Sequence, residues 1–321
     1  MLFYLRYIIF FLVLLTTPAL ATEEAVQLKT STGVLHGTLD LPSGAPPYSV
    51  VIIIGGSGPT DRDGNQPKIQ NDGLKQLGRG LAAKGIAVLR CDKRGIGQSA
   101  SAMRREDDLR FETFVADAVQ WLSLLRRDSR FSRVGIIGHS EGSLIGMAAA
   151  NPAKIDAFVS IAGSGRPAAA LIREQLGRNL PPNLNQQSSR ILDELVAGRS
   201  VADVPKELAD LFRPTVQPYL ISWFKYDPPR EIGALRMPVL ILQGTTDLQV
   251  SIEDARRLAA ANKDAKLRLI DGMNHVLKRA ATPAEQQAAY TETSRPIDAQ
   301  VVEEIADFLF ASAAKQPRPP R

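Results

Sequence analysis

Short apolar runs that begin and end abruptly recur along the chain, and stretches with helical period separate them. Such runs predict buried strands of a mostly parallel sheet, because helices cover both faces of a parallel sheet. The runs are Val50–Ile54, Ile86–Arg90, Val134–Ile137, Ala157–Ile161, Val239–Leu242 and Leu267–Ile270. The helical stretches are Gly73–Lys84, Phe111–Arg127, Ser143–Ala150, Ile252–Ala261 and Ala299–Ala311. Strand and helix alternate, so the predicted fold class is α/β.

Two segments depart from this alternation. Ala25–Leu41 alternates apolar and polar residues around two glycines, which predicts an antiparallel hairpin at a sheet edge. Ser164–Leu235 has helical patches but no strand-like run. We expect a mainly parallel sheet of about eight strands with flanking helices, and a helical cap inserted at about residues 164–235 above a pocket at the carboxyl ends of the strands.

The first 21 residues have the order of a secretory signal peptide. Arg6 precedes the apolar run Tyr7–Leu15, and the small-residue triplet Ala19-Leu20-Ala21 follows. A retained anchor is the alternative, but a membrane span needs about 20 apolar residues, and Pro18 interrupts this one. We expect cleavage after Ala21, a periplasmic or secreted location, and one domain with its insertion over residues 22–321.

Composition and charge narrow the function classes. The chain has 39 basic and 34 acidic residues, a net charge of +5, and its arginines are scattered. Nucleic acid is therefore not the implied partner. No later stretch is apolar enough to span a bilayer, so we expect no stable membrane insertion after signal cleavage. The single cysteine, Cys91, excludes an internal disulfide.

A G-x-S-x-G motif follows the predicted strand Val134–Ile137. The segment is Gly138-His139-Ser140-Glu141-Gly142, and helical residues come next. In this context the motif is typical of a nucleophile elbow, a strained turn that projects a serine oxygen from the sheet. Glycine is needed on both sides because larger side chains would collide with neighbouring backbone. The sequence therefore predicts Ser140 as a catalytic nucleophile.

A serine nucleophile needs a base, and the chain has three histidines. His36 lies in the predicted edge hairpin, where a surface or packing role is expected. His139 adjoins Ser140, and such a neighbour generally points away from the nucleophile's partner. His275 follows the last predicted strand, where the carboxyl ends of the sheet meet. We therefore predict His275 as the base.

The acid that orients this base should follow the preceding strand. Asp247 comes shortly after Val239–Leu242 and is the favoured residue; Asp254 and Asp271 are alternatives. A helix cap or a turn would be the non-catalytic role for Asp247. As the acid, it would accept the second ring N–H of the histidine and fix its tautomer. The chain order serine, aspartate, histidine is that of α/β-hydrolases.

An oxyanion hole requires two backbone N–H donors. The residue after the nucleophile, Glu141, should supply one, and the glycine-rich loop after Val50–Ile54 should supply the other. Within that loop we favour Ser57, with Gly58 as the alternative. The same glycines complete neither nucleotide-binding pattern, so a phosphate site is not expected.

Several motifs together resemble bacterial α/β-hydrolase esterases of the serine aminopeptidase-like and dienelactone-hydrolase-like group. The segments are Gly56–Gly64, similar to that group's oxyanion loop, Asp92–Ser99, similar to its D-x-R-G-x-G-x-S turn, and Asn274–Lys278, similar to its histidine loop. Many relatives begin the oxyanion loop with His-Gly, whereas this chain has Gly55-Gly56, which leaves open how the loop is supported. We expect the charged residues of the first two motifs to form loop-fixing ion pairs.

The resemblance and the residues together predict a serine hydrolase that cleaves small carboxylic esters with short acyl chains and requires no metal or cofactor. Peptidase, thioesterase and acyltransferase activities use the same acyl-enzyme and stay open. A non-catalytic binding protein on the same fold is the alternative from another class. Loss of a catalytic residue would indicate that alternative, and none is missing here.

Overall fold

The computed structural model describes residues 22–315, and eight strands in this range form one sheet. In chain order they are β1 (Thr22–Lys29), β2 (Val34–Leu41), β3 (Tyr48–Ile54), β4 (Ile86–Cys91), β5 (Phe131–His139), β6 (Ala157–Ile161), β7 (Val239–Gly244) and β8 (Lys266–Ile270). Across the sheet the order is β1-β2-β4-β3-β5-β6-β7-β8. β2 pairs antiparallel with β1 and β4, and all other neighbours are parallel. The predicted sheet and its edge hairpin are confirmed; the predicted signal peptide lies outside the described residues.

Helices cover both faces of the sheet. One face packs against α1 (Gly73–Ala83) and α11 (Ala299–Lys315), and the other against α2 (Phe111–Arg127), α3 (Glu141–Ala153) and α9 (Ile252–Ala261). Side chains of β3 alternate between the two cores because successive strand residues point to opposite faces. Each fully buried aliphatic side chain contributes about 1.5–3 kcal/mol, so both layers hold the sheet in place.

The segment between β6 and β7 is helical. It contains α4 (Ala168–Asn179), α5 (Pro182–Val196), α6 (Ala209–Phe212), α7 (Gln217–Trp223) and α8 (Pro228–Gly233). Leu192, Leu195, Phe212 and Leu220 form a small core of its own. Its role as a cap stays a prediction.

One further helix, α10 (Pro283–Thr291), lies between β8 and α11. Thr282 accepts a hydrogen bond from the Glu285 N–H, and the Glu285 side chain bonds back to the Thr282 N–H. The sequence pattern Thr-Pro-Ala-Glu carries this capping signal, although apolar periodicity alone did not reveal the helix. Among residues 22–315, no helix combines the length and apolar character that crossing a membrane requires.

Candidate active site

Ser140 occupies a sharp turn between β5 and α3. Its backbone has φ 55° and ψ −121°, a conformation that non-glycine residues rarely adopt. The Ser140 N–H donates to the Ile161 carbonyl at 2.9 Å, which ties the turn to β6. The side chain lines a surface cleft. This strained strand–turn–helix geometry is that of a nucleophile elbow.

The two glycines of the motif are required by close backbone contacts. A Cβ at Gly142 would lie 2.0 Å from the Ile54 carbonyl oxygen, and one at Gly138 would lie 2.4 Å from the Gly142 carbonyl oxygen. Both distances are far below van der Waals contact. The turn therefore packs against β3 in a way that only glycine permits.

His275 and Asp247 form a buried pair beside this turn. The distance from His275 Nδ1 to Asp247 Oδ2 is 2.8 Å, and the side chains are 6% and 1% exposed. The second oxygen, Oδ1, accepts the N–H groups of Gln249 and Val250 at 2.8 and 3.0 Å. Burial would raise the pKa of Asp247, but His275 and these N–H groups outweigh it and lower the pKa. The carboxylate is therefore held ionised and in one orientation.

The structure places the other candidates elsewhere. Asp254 caps α9 through Ser251 and pairs with Arg166 at 2.8 Å. Asp271 accepts a hydrogen bond from Thr245. His36 lies in β2, on the antiparallel side of the sheet. Of the histidines and aspartates weighed from the sequence, the pair beside Ser140 is His275 and Asp247, and His275 lines the same cleft as Ser140.

The sequence predicts that His139 points away from the nucleophile's partner, and this is wrong, because His139 contacts His275. Its Nε2 donates to the His275 carbonyl oxygen at 2.8 Å, and the two ring centroids are 4.9 Å apart. The elbow brings the two loops into contact, a long-range packing that the sequence pattern does not reveal. His139 thus fixes the backbone that carries the candidate base.

Burial, reinforced by the nearby His275, lowers the pKa of His139 from 6.5 to about 4. The unfolded chain therefore binds a proton at this residue at a higher pH than the folded chain, and stability falls as pH falls through that window. The amide of His139→Gln can still donate to the His275 carbonyl but does not titrate. Between pH 7 and pH 4.5 we therefore expect the free energy of unfolding to fall by about 2 kcal/mol less in this variant than in the wild type. Urea unfolding at the two pH values measures this, and an equal loss in both proteins would contradict it.

Of the predicted oxyanion donors, Glu141 directly follows Ser140, and Ser57 lines the same cleft as Ser140. In residues 22–315 neither the Ser57 N–H nor the Glu141 N–H has a hydrogen-bond acceptor. The loop also approaches closely, since a Cβ on Gly56 would lie 3.2 Å from Ser140 Cβ. Thr60 and Gln66 side chains both donate to the Ser57 carbonyl, at 2.9 and 3.1 Å. The Ser57 N–H, in a loop held by side-chain hydrogen bonds, and the Glu141 N–H, at the start of α3, are therefore both free to bind a ligand.

Ion pairs fix the loops around the site, as expected. Arg62 pairs with Asp92 at 2.6 Å and also donates its backbone N–H to that carboxylate. Arg94, two residues further, pairs with Asp117 of α2 at 2.6 Å. The turn after β4 thus anchors both the loop after β3 and the helix α2.

A cleft opens to the surface beside Ser140. Its wall contains Ile69, Leu74, Val276 and Tyr290, together with uncharged polar groups and the two histidines. No carboxylate, ammonium or guanidinium group of the described residues lines it. The loop after β3 and the segment after β8 form most of its walls, and none of its lining residues comes from 164–235. The pocket beneath that helical segment therefore stays a prediction.

The sheet order, the elbow at the end of β5 and the histidine–aspartate pair after β7 and β8 define an α/β-hydrolase. The model of the family described as Serine aminopeptidase, S33, matches residues 72–279. The chain belongs to this family of serine hydrolases.

Individual proteins of known name are also similar to this chain in sequence or structure. The chain is 27% identical over 285 residues to esterase EstD of Thermotoga maritima, covering 86% of this chain and 65% of that protein, so it spans less than two thirds of this relative. Ferulic acid-bound Est1E from Butyrivibrio proteoclasticus is 19% identical, with 90% and 99% of the two chains covered and a TM-score of 0.62. Dienelactone hydrolase from Anabaena variabilis is 18% identical, with 94% of this chain and 100% of that chain covered and a TM-score of 0.52. The resemblance drawn from the motifs, and the fold class, are confirmed.

Proposed function

We propose that this protein cleaves small, uncharged carboxylic esters through an acyl-enzyme on Ser140. The observation that carries the proposal is the buried His275–Asp247 pair, with a 2.8 Å hydrogen bond, beside a serine in elbow geometry. A serine is a weak nucleophile unless a positioned base removes its proton. The named esterase relative agrees with this activity.

In the proposed reaction, Ser140 Oγ attacks the ester carbonyl carbon while His275 Nε2 takes its proton. Asp247 accepts the Nδ1–H of His275 and stabilises the imidazolium that forms. The N–H groups of Ser57 and Glu141 stabilise the negative oxygen of the tetrahedral intermediate. The histidine then protonates the departing alcohol, and water activated by the same histidine releases the acid.

The absence of charged groups among the described residues of the cleft favours an ester substrate over a peptide with a free amino terminus. The ammonium of a peptide's first residue would need a carboxylate partner, since an unpaired charge is costly to desolvate. The described lining offers none. Because Ile69, Leu74 and Val276 form an apolar wall beside the serine, a short acyl chain can be buried there.

A chromogenic series of acyl esters, from acetyl to lauroyl, tests the substrate proposal, with aminoacyl anilides and acyl thioesters assayed in parallel. The purified protein of residues 22–321 should prefer a short acyl ester and show little anilide cleavage, with Ser140→Ala as the blank. An optimum on anilides or thioesters would replace the ester proposal by peptidase or thioesterase activity. Transfer of the acyl group to an added alcohol in preference to water would indicate an acyltransferase. Binding of the ester without turnover would indicate a non-catalytic protein.

A further inference from the structure

A largely buried lysine contacts both segments that carry the predicted oxyanion donors. Lys93, in the turn after β4, donates from Nζ to the Gly56 carbonyl oxygen at 2.6 Å and to Glu141 Oε2 at 3.2 Å. The Lys93 and Glu141 side chains are only 10% and 2% exposed. One cation thus contacts the peptide that precedes Ser57 and the side chain of the residue that provides the second donor.

The contact with Gly56 determines where the Ser57 N–H points. The carbonyl of Gly56 and the N–H of Ser57 belong to one planar peptide unit, in which they point in opposite directions when the bond is trans. In residues 22–315 the cis bond is Pro46-Pro47, so the Gly56–Ser57 bond is trans. Holding the carbonyl on the Lys93 side therefore directs the N–H away from it.

Glu141 extends the connection to the helical segment between β6 and β7. Its other carboxylate oxygen accepts the hydroxyl of Tyr219 in α7. The Glu141 carboxylate is thus held by a cation on one side and a phenol on the other, at the first residue of α3. The start of this helix, and with it the Glu141 N–H, is tied to the same lysine.

Lys93 is not placed to touch a substrate. Its Nζ already has two oxygen partners and lies 5.5 Å from the centre of the Phe114 ring, a cation–π contact. It is absent from the residues that line the cleft. Its contacts therefore indicate a positioning residue.

We propose that Lys93 orients the oxyanion hole, holding the Gly56–Ser57 peptide and the start of α3 so that both N–H groups face the same oxygen. The inference rests on the proposed function of Ser140. It also accounts for the support of a loop that has Gly55-Gly56 where many relatives have His-Gly.

The test is the oxyanion preference of Lys93→Met, which keeps the aliphatic stem and removes the ammonium. An ester and its thionoester, with sulfur in place of the carbonyl oxygen, are compared, because sulfur accepts hydrogen bonds poorly. Because the variant would displace the N–H donors rather than remove them, we expect kcat for the ester to fall by up to about 100-fold with KM little changed. The ester-to-thionoester ratio should fall by the same factor. Lys84→Met, the same change at an exposed lysine, should keep the wild-type ratio.

The outcomes separate this inference from the proposed function. A folded Lys93→Met with the wild-type ratio overturns the inference while leaving the esterase intact; a loss of activity on both substrates alike does the same, since it indicates general damage. Should Lys93→Met fail to fold, Lys93→Gln, whose shorter amide cannot span both contacts, replaces it. If the wild type cleaves no ester, the rate of fluorophosphonate labelling of Ser140 takes the place of turnover, and equal rates in wild type and variant, or no labelling, overturn the inference.

Discussion

Replacing Ser140 by alanine is expected to lower kcat/KM for ester hydrolysis by about 10⁵- to 10⁶-fold. The variant keeps the elbow backbone and the two N–H donors but has no nucleophile, so the acyl-enzyme cannot form. Initial rates on the best chromogenic ester measure the loss, and circular dichroism checks that the variant folds.

Ser143→Ala is the matched control, because Ser143 lies on the same helix and its hydroxyl is engaged with Ser160 at 2.7 Å. It should hydrolyse the ester at close to the wild-type rate. A Ser140→Ala protein that kept a substantial part of wild-type turnover would assign the nucleophile to another residue.

The second large effect is expected for Asp247→Asn, which should lower kcat about 10⁴-fold. The asparagine amide N–H would donate to His275 Nδ1, where the carboxylate of Asp247 accepts a hydrogen bond from it. Nδ1 would then be the acceptor, and Nε2 would carry the ring proton. That tautomer cannot take a proton from Ser140. The Oδ1 contacts with the Gln249 and Val250 N–H groups can persist, so folding should survive. Steady-state kinetics and thermal unfolding measure the two effects.

Asp271→Asn is the control, since Asp271 contacts Thr245 rather than the histidine. Its activity should match the wild type. Equal losses in the two variants would mean that a general change of charge near the site, rather than the tautomer of His275, explains the result for Asp247.

Most of the sheet could be predicted because its strands are continuous apolar runs, and the period of two in β1 and β2 revealed the hairpin. The short helices α7 and α8 were not predicted, since six or seven residues carry too little periodicity to be recognised. α10 has little apolar face, and only its capping residues mark it. Tertiary packing, not pattern, stabilises such elements.

Some residues of the candidate site could be predicted from the sequence, and others could not. Ser140, Asp247 and His275 could be picked from the sequence because each follows a strand, and parallel strands end at the same edge of the sheet. The contact of His139 with His275 and the contacts of Lys93 join residues far apart in the chain, and they depend on how loops close over one another. The lining of the cleft by the loop after β3 and the segment after β8 depends on the same loop packing, so it could not be predicted from the sequence.

Trapping the acyl-enzyme tests the central claim most directly. The protein is mixed with a chromogenic short-chain ester, quenched in acid during the first turnovers, digested and analysed by mass spectrometry, with Ser140→Ala treated alike. We expect an acyl group on the peptide that contains Ser140 in the wild type and none on that peptide in the variant. An acyl group on a different residue, or rapid turnover with no acylated peptide, would contradict it.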